Sequence, residues 1–156
     1  MKKARIKTPL GIAELCGDEN GLASVKVLDK GSISSEIPAE LKLATQQLQG
    51  FFNRALKDFD LKLNPQGTDF QKRVWKELLE IPYGTTTSYL ELSRKLGDEK
   101  AIRAVAAANG KNPLWIIVPC HRVIGSDGSL TGYAGGLHRK KWLLDLENPP
   151  KQQSLF

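Results

Sequence analysis

Three short runs near the start of the chain, Ala4–Thr8, Ile12–Cys16 and Leu22–Leu28, carry strand-forming residues. Pro9-Leu10-Gly11 and Gly17-Asp18-Glu19-Asn20-Gly21 separate them, and the pattern predicts an antiparallel meander. Pro38 then opens a helical pattern to about Leu56, with Leu41, Ala44, Leu48, Phe51 and Phe52 recurring at helix spacing. Phe59–Leu63 is expected to return as one more strand. Together these predict a small α/β lobe over residues 1–64, with Asn64-Pro65-Gln66-Gly67 as the boundary to a second domain over 65–148. Residues 149–156 read as a tail.

The second domain opens on helices. Thr68-Asp69-Phe70-Gln71 has capping-box form, and Phe70, Val74 and Leu78 follow at i, i+4 and i+8 with Trp75 and Leu79 alongside. That helix should end near Ile81-Pro82-Tyr83-Gly84. Ser88-Tyr89-Leu90-Glu91 predicts another N-terminus, with its stop at Gly97, and Asp98-Glu99 begins a helix that runs to Asn109-Gly110. Two short helices joined by a tight glycine turn have the helix-turn-helix pattern, and equally that of a packed αα-hairpin. In the later helix Ile102 and Val105 are expected to be buried, leaving Arg103, Ala104, Ala107 and Ala108 on another face. Base reading normally uses several polar side chains. A face of alanines instead allows close approach to DNA, with Arg103 as its one long probe.

Composition narrows the class. Of 156 residues, 40% are hydrophobic and 26% charged, as in globular proteins, and no apolar run approaches the ~20 residues of a spanning helix. No membrane role is expected, and the basic start lacks the apolar core of a signal peptide, so the cytoplasm is the expected compartment. Two cysteines, Cys16 and Cys120, are too few for a disulfide framework and lack metal-ligand spacing with His121 and His138, so no metal is expected. Cys16 is read as a small buried hydrophobe. The net charge is +6; residues 1–64 hold 10 basic and 8 acidic side chains, and the remainder 13 and 9. This lean suits either a polyanion-binding face or an ordinary solvated surface.

The chemistry concentrates after the helix pair. Asn112-Pro113-Leu114-Trp115-Ile116-Ile117-Val118 has the form of a buried strand and delivers Pro119-Cys120-His121-Arg122-Val123 at its end. A thiol must ionise to attack, and His121 is the obvious base, with Glu147 as a candidate carboxylate behind it. Gly125–Gly132 and Tyr133-Ala134-Gly135-Gly136 form two turn-rich loops, and Leu137–Leu146 a last helix.

From Gly67 to Glu147 the chain resembles the O6-alkylguanine-DNA alkyltransferases. The resemblance is carried by Gly67-Thr68-x-Phe70-Gln71-x-x-Val74-Trp75, Ile81-Pro82-x-Gly84-x-Thr86-x-Ser88-Tyr89, Arg103-Ala104-Val105, Asn112-Pro113, Pro119-Cys120-His121-Arg122-Val123 and Gly132-Tyr133-x-Gly135-Gly136-Leu137. Residues 1–64 resemble the family more loosely, through Thr8-Pro9-Leu10-Gly11 and Gly21-Leu22.

The resemblance implies an α/β protein with a ribonuclease-H-like N-terminal lobe and a winged helix-turn-helix-like C-terminal domain. It implies irreversible repair of O6-alkylguanine, and of O4-alkylthymine, in double-stranded DNA by a monomer without cofactors. Cys120 then matches the alkyl acceptor, His121 its water-relayed base and Glu147 the group orienting His121. Arg103 matches the residue that fills the gap left by the flipped base, on a DNA face with Ala104, Ala107, Ala108 and Arg122. Tyr89 matches the tyrosine crowding the flipped nucleotide's phosphate and bonding the base. The carbonyls of Cys120 and Val123 match acceptors for the guanine amine, and Tyr133, Ala134, Gly135 and Trp115 line the pocket. Asn112 matches the asparagine tying the recognition helix to the cysteine turn. Ala134 stands where some relatives have serine, and Trp115 where some have proline, which narrows the pocket.

Two other classes fit parts of the sequence. A helix-turn-helix regulator leaves the Cys-His pair unexplained, and a Cys-His-Glu hydrolase has no need of Arg103. Beyond Pro149-Pro150, Lys151-Gln152-Gln153-Ser154-Leu155-Phe156 resembles the bacterial sliding-clamp-binding pentapeptide, with Leu155 and Phe156 filling an apolar pocket and Gln152 bonding its edge. A frayed terminus is the plainer reading of the same residues.

Overall fold

The computed structural model describes residues 1–149. Strands β1 (Lys2–Thr8), β2 (Gly11–Asp18) and β3 (Gly21–Leu28) form the expected antiparallel meander in the order β1-β2-β3. Their inward side chains, among them Ala4, Ile6, Ala13, Leu15, Val25 and Val27, are buried. Cys16 is buried in β2, as a small hydrophobe would be.

The first helix is shorter than its periodicity implies. A 3-10 turn at Ala39–Leu41 leads into α1 (Lys42–Phe52), whose face of Ala44, Leu48, Phe51 and Phe52 is buried. It stops because Arg54 takes a left-handed φ of 62°. The Arg54 amide then donates to Phe51 O and the Ala55 amide to Gly50 O. This is the Schellman pattern, closed by an arginine where glycine is usual, so the sequence carries no stop signal there. Phe59–Leu63 does not form a full strand. A single parallel bridge, Leu22 to Leu63, is made, with Leu22 donating to Lys62 O at 2.8 Å and Asn64 to Leu22 O at 2.8 Å.

In the second half, α2 (Asp69–Leu78) has both halves of the capping box: Gln71 N donates to Thr68 Oγ1 at 3.1 Å, and Thr68 N to Gln71 Oε1 at 2.9 Å. The two-residue β4 (Thr87–Ser88) precedes α3 (Tyr89–Lys95), where Ser88 Oγ accepts from Glu91 N at 3.0 Å. The helix ends at Gly97, whose φ of 90° is open to glycine at little cost. Asp98 caps a 3-10 turn that leads into α4 (Ile102–Gly110). Then β5 (Val123–Ile124) pairs in parallel with β4, and α5 (Leu137–Glu147) closes the fold.

Asn112–Val118 is not a strand. It is a buried irregular turn, with Leu114, Ile116, Ile117 and Val118 all nearly inaccessible. Its backbone is satisfied by other means: Val25 donates to Pro113 O at 2.9 Å, Trp115 to Val25 O at 3.1 Å, and Val118 to Leu114 O at 3.0 Å. These bonds join the turn to β3, and one continuous apolar core runs through both halves of the chain. The result is a mixed α/β protein, with an N-terminal sheet and a C-terminal helical domain built around the cysteine turn.

Candidate active site

The turn that presents Cys120 is held by a side chain. Buried Asn112 donates through Nδ2 to Val118 O at 2.9 Å and Leu114 O at 3.2 Å, and its Oδ1 accepts from Leu114 N at 2.9 Å. Asn112 follows α4 directly, so one amide couples that helix to the approach of the cysteine. Within the turn Ile116 has a φ of 75°, an uncommon conformation for a β-branched residue that must be imposed by its surroundings. Cys120 then begins a one-turn 3-10 helix, Cys120–Arg122, and is 4% exposed. Burial pushes its thiol up to about 11, against weaker opposing help from Asn112 and Lys140. The thiol is therefore protonated at neutral pH and needs a base at the moment of reaction.

His121, the next residue, is the candidate for that base. His121 Nε2 lies 2.5 Å from Glu147 Oε2, both side chains being almost wholly buried. Burial lowers the His121 pKa below its ordinary 6.5, and the bond to Glu147 only partly offsets this. A neutral imidazole donating Nε2–H to the carboxylate leaves Nδ1 with a free lone pair, and Nδ1 is buried without a hydrogen-bond partner. Burial opposes charge on Glu147 as well, yet bonds from His121 and Arg122 hold it ionised, at about 2. Arg122 clamps the same carboxylate with Nε on Oε1 at 2.7 Å and Nη2 on Oε2 at 2.9 Å, while Nη1 reaches Ile81 O at 2.7 Å. The Gly84 amide adds a bond to Oε1 at 3.2 Å.

Arg122 is thus a correction. Expected on the DNA face, it is 6% exposed and serves as the internal counter-ion of Glu147. A guanidinium that has spent its fork on a buried carboxylate has none left for a phosphate.

Three further side chains, Lys140, Tyr133 and Trp115, complete the site. Lys140, fully buried, donates through Nζ to Val123 O at 2.5 Å and Thr131 O at 2.6 Å. Burial lowers it to about 8. Sequence reasoning missed it, because a lysine in an Arg139-Lys140-Lys141 run resembles a solvated face. Tyr133 and Trp115 form a tilted ring pair with centroids 6.0 Å apart. Ala134 is exposed beside them, and Gly135 is packed so closely that a Cβ there would lie 2.7 Å from the Tyr133 ring and 3.1 Å from that of Trp115.

An open groove of about 450 Å³ runs beside α4, lined by Tyr89, Ile102, Arg103, Ala106, Gly110, Thr131 and Gly132. The Tyr89 hydroxyl donates to Thr131 O at 3.2 Å, the same carbonyl that Lys140 holds. Arg103, Ala104 and Ala107 are exposed as expected. Ala108 is not: it is 3% exposed, and its carbonyl accepts from Trp75 Nε1 at 2.8 Å, which turns that face of α4 onto α2. Ile102 is half-buried and lines the groove, so Val105 alone of the expected pair belongs to the core. Among the described residues no group of three or more His, Cys, Asp or Glu is arranged to hold a metal ion, and no helix is long and apolar enough to cross a membrane. Gln152, Leu155 and Phe156 lie outside the described residues.

A family profile described as "6-O-methylguanine DNA methyltransferase, DNA binding domain" matches residues 69–149, which hold the groove, the cysteine turn and Glu147. This chain belongs to the 6-O-methylguanine DNA methyltransferase family. A methylated-DNA–protein-cysteine methyltransferase of Methanosarcina barkeri is 52% identical over 149 residues, covering 91% of this chain and 94% of the relative. One from Mycobacterium tuberculosis is 46% identical over 158 residues, covering 97% and 96%. The crystal structure of the M. tuberculosis O6-methylguanine methyltransferase superposes with a TM-score of 0.85 at 44% identity, covering 98% of this chain and 96% of that one. A second structure of the M. tuberculosis protein, in complex with DNA, gives 0.83 at 48% identity, with 92% and 90% covered. The methyltransferase family match takes in the helical domain over residues 69–149, and the structural likeness extends through the N-terminal sheet.

Proposed function

We propose that this protein repairs O6-alkylguanine, and O4-alkylthymine, in duplex DNA by moving the alkyl group irreversibly onto Cys120. The observation that carries the reading is the buried chain Arg122–Glu147–His121, which ends on an unpartnered Nδ1 one residue from a buried thiol. In this reading α4 lies against the minor groove, Arg103 fills the gap left by the flipped nucleotide, and Tyr89 bonds the base at the groove's mouth. Exposed alanines at 104 and 107 let the helix approach closely. Val123 O, held by Lys140, accepts from the guanine amine, and the Ala134 backbone faces O6 beside Tyr133 and Trp115.

His121 Nδ1, through a water, takes the thiol proton. The sulfur then attacks the alkyl carbon in line, the new S–C bond forms, and the C–O6 bond breaks with its electron pair leaving on the purine. The proton held by His121 returns through solvent to the purine, so thiol and alkylated base become thioether and unmodified guanine, still joined to its strand. A thioether has no hydrolysable bond, so one molecule acts once. Intact mass after incubation with an O6-methylguanine duplex tests this. One added methyl, absent in Cys120→Ala, is the expected result; no mass change overturns the reading, and repeated ester turnover would mark a hydrolase.

The finer partner assignments rest on sequence alone. The protein is read as a cytoplasmic monomer, and Gln152, Leu155 and Phe156 as a sliding-clamp contact that brings it to replicating DNA. Deleting 152–156 is expected to abolish clamp binding and leave alkyl transfer at its original rate; undiminished clamp affinity would sink the assignment.

A further inference from the structure

Arg139 takes no part in the chemistry above, yet its guanidinium is almost wholly enclosed and makes bonds in three directions. Nη1 donates to Gly135 O at 3.1 Å, Nε to Leu10 O at 3.2 Å and Nη2 to Asp29 Oδ1 at 2.6 Å. Gly135 belongs to the loop that faces the alkyl group, whereas Leu10 lies in the β1–β2 turn and Asp29 directly follows β3. A planar fork with fixed donor directions relates its acceptors rigidly, as a flexible ammonium does not.

We infer that Arg139 is a positioning and specificity-determining residue: it braces the Tyr133–Gly136 loop against the N-terminal sheet and so sets how bulky an alkyl group the pocket admits. The inference rests on the placement of the alkyl group between Cys120 and this loop. Three observations carry it. A Cβ at Gly135 would lie 2.7 Å from the Tyr133 ring and 3.1 Å from that of Trp115, so a shift of this backbone bears directly on the two rings that narrow the pocket. Among the described residues, Arg139 makes the one side-chain hydrogen bond to the backbone of 133–135. The Asp29 carboxylate is 84% exposed, so that ion pair adds little, and the two carbonyl bonds do the positioning. The N-terminal lobe, which supplies no reacting group, thereby acts on the choice of substrate.

The test compares single-turnover transfer from duplexes carrying O6-methylguanine or O6-benzylguanine in wild type, Arg139→Lys, Arg139→Met and Asp29→Asn, across DNA concentrations. Loss of the brace lets the rings part. The benzyl-to-methyl ratio of rate constants is expected to rise about tenfold in Arg139→Met, the lower end of what a methylene-sized change in a pocket is worth. Arg139→Lys, which cannot hold both carbonyls in one plane, should shift it in the same direction, and Asp29→Asn by less than twofold. The duplex concentration for half-maximal rate should stay unchanged, because α4 is not disturbed. A ratio equal to that of wild type in Arg139→Lys overturns the inference, even if Arg139→Met fails to fold; so does a lowered Tm in either variant with the ratio unmoved. Wild type failing to transfer methyl would instead refute the proposed function.

Discussion

Replacing Glu147 by Gln removes one charge and almost no volume, and it exposes what the buried network contributes. Arg122, 7% exposed at its side chain, loses its counter-ion while keeping Ile81 O and the face of Tyr83, whose ring centroid lies 5.6 Å from the guanidinium carbon. An uncompensated buried charge costs about 3–5 kcal/mol. For a chain of this length each kcal/mol moves Tm by roughly 2–4 °C, so a fall on the order of 10 °C is expected in calorimetry. Arg122→Met should cost a similar ~3 kcal/mol, because Glu147 then stays buried with only His121 and the Gly84 amide. The double variant leaves neither charge stranded. Its cost in urea unfolding should therefore fall short of the sum by about 2 kcal/mol, a coupling typical of residues within one network. Coupling below ~0.5 kcal/mol, or an E147Q variant as stable as wild type, would refute the claim that Arg122 is an internal counter-ion and return it to the surface.

The base can be read from pH. His121 must be neutral to accept a proton, and burial holds its pKa below 6.5. Wild-type reaction with free O6-benzylguanine should thus stay level as pH falls through 6.5 and drop only at the lower pH where the buried imidazole takes up a proton. His121→Gln has no base, so its rate should climb about tenfold per pH unit towards the thiol's value of about 11; a flat profile for that variant would exclude His121 as base. Asn112→Ala strands the Leu114 amide, while the Leu114 and Val118 carbonyls keep the amides of Val118 and Cys120, so urea unfolding should show a loss of about 1–3 kcal/mol. Arg103→Ala should slow repair of duplex DNA by roughly 10- to 100-fold, the scale of the unstacking energy it offsets, and leave reaction with the free base nearly unchanged. Equal losses on both substrates would contradict a base-flipping role.

What the sequence made legible was local. The Thr68, Ser88 and Asp98 caps and the Gly97 stop are made between residues two to five apart, and the helices they delimit lie where the pattern places them. Cys120, His121 and Glu147 were legible as candidates as well, because the family's motifs fix their spacing. What was hidden depended on distant partners. Apolar periodicity does not tell a buried strand from a buried turn, and Asn112–Val118 is a turn because Asn112 satisfies the backbone that a ladder would have used. Ala107 and Ala108 differ by about 100° around α4, and Trp75, 33 residues away, decides which of them faces the core. The buried cations were the largest omission. Arg and Lys are almost never fully buried unless paired, and the partners of Arg122 and Arg139 lie 25 and 129 residues away, at Glu147 and Leu10.

Those buried cations also change the meaning of the charge. Of the 13 basic residues after Asn64, Arg122, Arg139 and Lys140 are internal, as is one of the 9 acidic residues, Glu147. The positive excess left for the surface of that part is accordingly about half of what the composition implies. Neutralising phosphates by net charge alone therefore gives this protein little grip on DNA. The remaining source of affinity is geometric: a helix whose exposed face is Arg103, Ala104 and Ala107, bordering a groove floored by Ala106 and Gly110, can come closer to a backbone than a helix of long side chains. The same small residues that look uninformative for base reading are thus the ones that fit the proposed mode, in which the helix presses into the groove and Arg103 holds the gap left by a displaced base. On this argument specificity resides not in α4 but in the pocket behind it, where Lys140 fixes the carbonyl of Val123 and Arg139 that of Gly135.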